Sequence, residues 1–238
     1  MASTVIRNWD NNTWLSSNKY INLFNKYLLK QISLNSNSEI LDIGCGRGKI
    51  IGNLSSILRL NNKPTGIDLV NHRDKDKRIS FKKKDAFSFF IKNRKKFDLI
   101  MIKQTIHFFH LNKIKSLIDN CKKILNTNGK ILVFMMDPDN IQIPSFKLMN
   151  RRLNISFKKD KTISKMLIKI YSGKVLKSFV YNVKITKKKY IKMIRDRFIS
   201  ILLPMNLKDI SKGVEEIEAS FNEIINFNDY LNCIIITK

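Results

Sequence analysis

Proline and cysteine are both scarce in this chain, at 4 and 3 of 238 residues. With 43% hydrophobic and 10% aromatic residues alongside so little proline, a disordered, collagen-like or repeat chain is excluded. The cysteines, Cys45, Cys121 and Cys233, form an odd and scattered set that cannot frame a disulfide scaffold and suits a reducing compartment. Cysteines and histidines also lack zinc-ligand spacing. No uncharged apolar run approaches the roughly 20 residues that span a bilayer. The opening MASTVIRNWDNNTW has no basic-then-apolar pattern, so export by that route is not expected and a cytoplasmic location is. The length suits one α/β domain with a sizeable core and is short for two.

Acidic residues are the other shortage: 19 Asp+Glu stand against 45 Lys+Arg, a formal charge of +26. Such a balance fits an anionic partner such as RNA, DNA or a lipid surface. Yet only 10 of the 45 basic residues are Arg, and Asn and Ile are overabundant with Lys. That trio follows A/T-rich coding, whereas nucleic-acid sites favour the planar Arg fork. Both readings stay open here.

Along the chain, strand and helix patterns alternate, which predicts a parallel sheet with helices on its faces. Residues 17–32 space Tyr20, Leu23, Phe24, Tyr27, Leu28 and Ile32 as an amphipathic helix ahead of the sheet. Strands are predicted at 39–43, 64–69, 79–83, 97–102 and 130–136, with helices at 49–60, after Asp85 and from Leu111 to Leu125. The turn Asn126-Thr-Asn-Gly129 is expected to stop that last helix through a C-terminal cap. Residues 137–178 are basic and helical in tendency. Phe179, Tyr181, Val183 and Ile185 then alternate as a half-buried strand, two helices follow, and 230–237 closes as an apolar strand. With no linker or repeat, the chain is expected to form one domain. Its parts are an N-terminal cap region at 1–36, a core at 37–136, an acceptor-side insertion at 137–178, and a completing segment at 179–238.

The sharpest local feature is ILDIGCGRGK at 40–49, a strand running into Gly44, Gly46 and Gly48 and then a helix. Glycines there let the backbone turn sharply and approach a ligand, and the amides at the helix start favour negative charge. The dinucleotide spacing G-x-G-x-x-G fails, because Lys49 stands where its last glycine belongs. The tighter G-x-G-x-G after Asp42 resembles the first motif of the class I S-adenosylmethionine-dependent methyltransferases. GIDL at 66–69, KKDAF at 83–87, FDLIMIKQTIHFF at 97–109 and ILNTNGKILV at 124–133 follow in the order and spacing of that family. The resemblance covers residues 40–136 closely and the terminal helix and last strands loosely. It implies a Rossmann-like, doubly wound, mostly parallel seven-stranded sheet with the last strand antiparallel.

The resemblance also implies roles for particular residues. Gly44, Cys45 and Gly46 wrap the methionine part of S-adenosylmethionine, with Cys45 serving as a small loop residue. Asp42 holds the loop and meets the ammonium. Asp68 accepts from the ribose hydroxyls, and Leu69 lies against adenine. Asp85 and the Ala86 amide read the adenine edge, Asp85 having a second reading as a helix N-cap. Lys103 and Gln104 occupy the exit of the fourth strand, facing cofactor or acceptor. His107 is the candidate general base, or else a histidine packed at a helix start.

The acceptor is less legible. IKQT stands where nucleic-acid amino-methylating enzymes carry a proline-containing motif. Lys103 replaces the first acidic ligand of the metal-dependent catechol type, so no metal is expected despite Asp139-Asn140. Trp9, Trp14 and Tyr20 are candidates for a lid, and Phe146, Met149, Tyr171 and Tyr181 for an acceptor pocket. Residues 197–217 are similar to the C-terminal helices of the trans-aconitate-like branch, and Arg197 is a candidate clamp for an acidic acceptor; the plainer reading pairs such an Arg with Asp196 or with the acidic 209–223 helix. The expectation is methyl transfer to a small molecule at O, N or C. The alternatives are an RNA methyltransferase, from the basic 150–192 stretch, and a non-catalytic cofactor-binding or partner module.

Overall fold

The computed structural model describes residues 13–238; Trp9 lies outside them. A seven-stranded sheet is built from β1 (Ile40–Ile43), β2 (Thr65–Asp68), β3 (Ser80–Lys83), β4 (Phe97–Lys103), β5 (Leu125–Met136), β6 (Lys174–Thr186) and β7 (Ile224–Thr237). Their order across the sheet is β3-β2-β1-β4-β5-β7-β6. The first five run parallel, and β7 pairs antiparallel with both β5 and β6. The expected fold class is the one observed. Among the described residues no helix is long and apolar enough to cross a membrane.

Period-two alternation sorts the strand residues into two cores. Leu99, Met101, Leu132 and Phe134 enter one, together with α1 (Asn18–Gln31), α2 (Lys49–Leu58), α6 (Lys187–Arg195) and α7 (Leu207–Ser220). Ile100, Ile102, Ile131 and Val133 enter the other, with α3 (Ala86–Lys92) and α4 (Leu111–Lys123). Because β4 is covered on both sides, its apolar run is continuous, as in parallel sheets. The long helix α5 (Lys147–Tyr171) serves both cores: Met149, Leu153 and Phe157 pack into the first, Ile163 and Leu167 into the second.

Three boundaries differ from the sequence expectation. α4 ends at Lys123 with Ile124 as its cap, and Asn126–Gly129 belongs to β5 instead of forming a turn. A Cβ on Gly129 would lie 2.7 Å from the Phe97 carbonyl, so the glycine answers a close strand approach where the register shifts beside Phe97. β6 starts at Lys174, ahead of the expected Phe179, because an irregularity between Leu176 and Phe179 breaks the alternation there. β7 starts at Ile224, since Asn226, Asn228 and Asp229 hide the strand among polar residues; the Asn182 amide donates to Asn226 and Asn228 across the ladder.

Candidate active site

Strand order reverses between β1 and β4, the switch point where open α/β sheets take ligands. The loop after β1 lies there. Gly44, Gly46 and Gly48 have φ of 76°, 54° and 69°, the left-handed region that glycine tolerates. The Gly44 and Cys45 amides donate to the Ile67 carbonyl at 2.9 and 3.1 Å, strapping the loop to β2. The Gly46 amide donates to Asp68 Oδ2 at 2.8 Å, and the Val70 amide to Asp68 Oδ1 at 2.8 Å. Asp68 therefore fixes the loop and the chain beyond β2 at once.

These loops surround a cavity of about 550 Å³, within the range of small-molecule sites. All ten residues expected to bind cofactor line it: Asp42, Gly44, Cys45, Gly46, Asp68, Leu69, Asp85, Ala86, Lys103 and Gln104. Asp42 is 3% exposed and its Oδ1 has no hydrogen-bond partner. Burial pushes its pKa up to about 7, against the opposing pull of Lys103 and with a further push from Asp68. Lys103 Nζ donates to Gln104 Oε1 at 3.0 Å and lies over the Tyr20 and Phe24 rings. Asp85 does cap a helix, accepting from the Ser88 amide at 3.0 Å, while still edging the cavity; bonds from Ser88 hold its carboxyl below the usual range.

A second, inner cavity of about 60 Å³ shares Leu15 and Gln104 with the first. His107 lines this inner cavity and not the outer one. It sits in a short 3₁₀ turn, Ile106–Phe108, and burial, aided by Lys159, lowers its pKa to about 4. The imidazole is neutral at physiological pH. Trp14 also lines the inner cavity, its Nε1 donating to Asp229 Oδ2 at 2.8 Å.

The remaining acceptor-side candidates among the described residues lie outside both cavities. Tyr20 lines neither cavity; it is fully buried, edge-on to Phe179 and Tyr181. Arg197 lines neither; its Nη2 donates to the Met205 carbonyl at 3.1 Å, a partner that neither reading named, and its buried Nε has no hydrogen-bond partner. Phe146, Met149, Tyr171 and Tyr181 are drawn into packing, Phe146 against Gly213 and Tyr171 onto Lys115 and Asp119. Ile143, Leu153 and Phe157 stand in the inner wall instead.

Sequence reasoning missed two cavity acids and one loop cation. Asp160 falls on the apolar stripe of α5 between Phe157 and Ile163, and Asp229 on the inward register of β7 between Phe227 and Leu231. A carboxylate in register with core residues is the signal that marks each. Arg47, 4% exposed, bonds Asp74 through Nε at 2.8–2.9 Å and lines the outer cavity with His72. Its position beside the glycines is visible in sequence, but its partner is not.

A Rossmann-like sheet with a glycine loop and carboxylates at its switch point defines a class of small-molecule-binding α/β domains. Residues 41–133 match the family model described as a methyltransferase domain. No curated protein matches the chain by sequence. Among solved structures, the plantazolicin methyltransferase BpumL, crystallised with a triazolic desmethylPZN analog and SAH, aligns at TM-score 0.55 and 16% identity. That alignment covers 97% of this chain and 88% of that one. The YcgJ protein of Bacillus subtilis aligns at TM-score 0.54 and 14% identity over 90% and 97%. Precorrin 8w decarboxylase of Methanobacterium thermoautotrophicum aligns at 0.50 and 11% over 90% and 89%. At these identities the likenesses establish the fold alone, and the family match spans residues 41–133, from β1 into β5.

Proposed function

We propose that the protein transfers a methyl group from S-adenosylmethionine to a small-molecule acceptor. The observation that carries this reading is Asp42: a buried carboxylate at the end of β1 with one oxygen unpartnered, in the wall of the outer cavity. A cationic ligand group beside it meets that unmet acceptor and offsets the cost of the buried charge. An amino-acid ammonium is such a group. Asp68 and Asp85 supply carboxylates for the ribose and adenine ends, and the Ala86 amide a donor.

S-adenosylmethionine supplies a methyl already activated on a sulfonium. What remains for the chain is alignment and exclusion of water. Gln104, held at φ 51° with its amide donating to the Phe134 carbonyl at 2.8 Å, stands between the two cavities. Neutral His107 beyond it is able to accept a proton where the acceptor must lose one. The inner cavity suits a small head group and not a folded RNA segment, which favours the small-molecule reading. The likeness to the trans-aconitate-like branch adds nothing here, since Arg197 is engaged by Met205. Calorimetric titration with S-adenosylmethionine is the test: saturable one-to-one binding supports the reading, and its absence in folded protein overturns it.

A further inference from the structure

The inner cavity carries a charge pattern opposite to that of the chain. In a protein of formal charge +26, no Lys or Arg among the described residues lines it, whereas Asp160 and Asp229 both do. Asp160 is 5% and Asp229 3% exposed. Asp160 Oδ1 is buried without a hydrogen-bond partner, an arrangement that costs stability unless something met in function satisfies it. Trp14, Phe157 and Phe198 add aromatic surface to the same walls. The nearest cations line neither wall of it. Lys159 Nζ donates to the His107 and Phe109 carbonyls at 2.6 and 2.9 Å, and Lys103 lines the outer cavity, from where its charge partly offsets the burial that raises the Asp229 carboxyl pKa.

We infer that the inner cavity is a subsite for a protonated amine on the methyl acceptor, held by Asp160 and Asp229 against the rings of Trp14, Phe157 and Phe198. This rests on the methyltransferase reading and names the acceptor's chemical class within it. Carboxylates and aromatic faces are the two protein groups that attract an organic ammonium in a desolvated setting. A hydroxyl would leave the carboxylate charges uncompensated, and an anion would meet them directly. The neutral state of His107 avoids a repelling charge. Burial raises the carboxyl pKa of Asp160 to about 6, with Lys159 opposing, so it is mostly ionised at pH 7.5 and ready for a cation. The cavity's 60 Å³ gives room for about four water-sized groups, enough for an amine and a short stem.

NMR titration of the full-length protein at pH 7.5 with n-propylammonium, propan-1-ol and propionate tests this without any cofactor present. Propylammonium is expected to bind saturably and at least about tenfold more tightly than propanol, with propionate not binding. D160N should remove that preference and leave S-adenosylhomocysteine affinity unchanged, while D160E should retain it. Equal affinities, no saturable propylammonium binding, or a preference that survives D160N would overturn the subsite. Should D160N fail to fold, the wild-type ammonium-over-alcohol ratio decides alone. A separate titration with S-adenosylhomocysteine isolates the underlying reading: its failure removes the methyltransferase proposal without altering the amine result.

Discussion

Asp42 concentrates the trade between stability and function in one side chain. Its pKa in the folded protein, about 7, lies above the ordinary 3.8, so between those values the folded state binds more protons than the unfolded one. Its cost to stability therefore grows as pH rises through that window and is complete above it. D42N should melt above wild type at pH 8, by on the order of a few kcal/mol, and converge with it near pH 4. The same variant should lose at least about tenfold in cofactor affinity. Thermal unfolding across pH, beside calorimetry, checks both; a variant no more stable at pH 8 would contradict the account of the buried charge. His107 has the opposite sign. Its folded pKa of about 4 lies below 6.5, so it favours the folded state above pH 6.5 and loses that contribution as pH falls toward 4. It stays neutral from pH 6 to 9 and should add no inflection to the rate there. H107Q should lower kcat about 10²-fold with cofactor affinity unchanged; an unchanged kcat would dismiss it as a base.

At the scale of elements, the loop between β1 and α2 holds three glycines for two different reasons. A Cβ on Gly44 would fall 2.3 Å from the short Thr105 side chain, so packing forbids one there; one on Gly48 would fall 2.1 Å from the movable tip of Ile79, and packing together with its φ of 69° opposes it. Gly46 has nothing within 4 Å of its missing Cβ and lines the open cavity. G44A should cost about 2–4 kcal/mol from steric conflict and backbone strain together. G46A should cost only about 1 kcal/mol, yet lose most cofactor affinity because the new methyl projects into ligand space. Denaturant melts and calorimetry on the pair separate the two; equal destabilisation would refute the distinction. This loop was legible as sequence because glycines at fixed spacing after a strand have few other uses. The end of α4 was not, since Gly129 looks like a helix stop until the Phe97 carbonyl is seen against it.

For the whole molecule, the charge of +26 is not gathered at the candidate site. The outer cavity joins Arg47, Lys49, Lys84 and Lys103 to Asp42, Asp68 and Asp85, and the inner one is acidic. Basic residues of α5 such as Lys147, Arg151 and Lys158 line an open depression away from both. A single-stranded RNA 20-mer is therefore expected to bind no more tightly than micromolar at physiological salt, with turnover of a small acceptor unaffected. Sub-micromolar affinity falling steeply with salt would establish the RNA reading in its place.

Sequence by itself determined a parallel sheet with helices on its faces and a glycine loop at a strand end, from strand-length apolar runs and glycine spacing. The seven-stranded arrangement and the residues that line the outer cavity were legible through the motifs shared with a known family. Tertiary structure alone decided the acceptor side. Tyr20, Phe146 and Arg197 look like site residues in one dimension, but each is claimed by a neighbour remote in sequence or by a local fold of the chain. Asp160 and Asp229, separated by 69 positions, share a function only because α5 and β7 wall the same cavity. A spacing rule reaches along one element. Which two elements face each other across a cavity is fixed by how the cores pack.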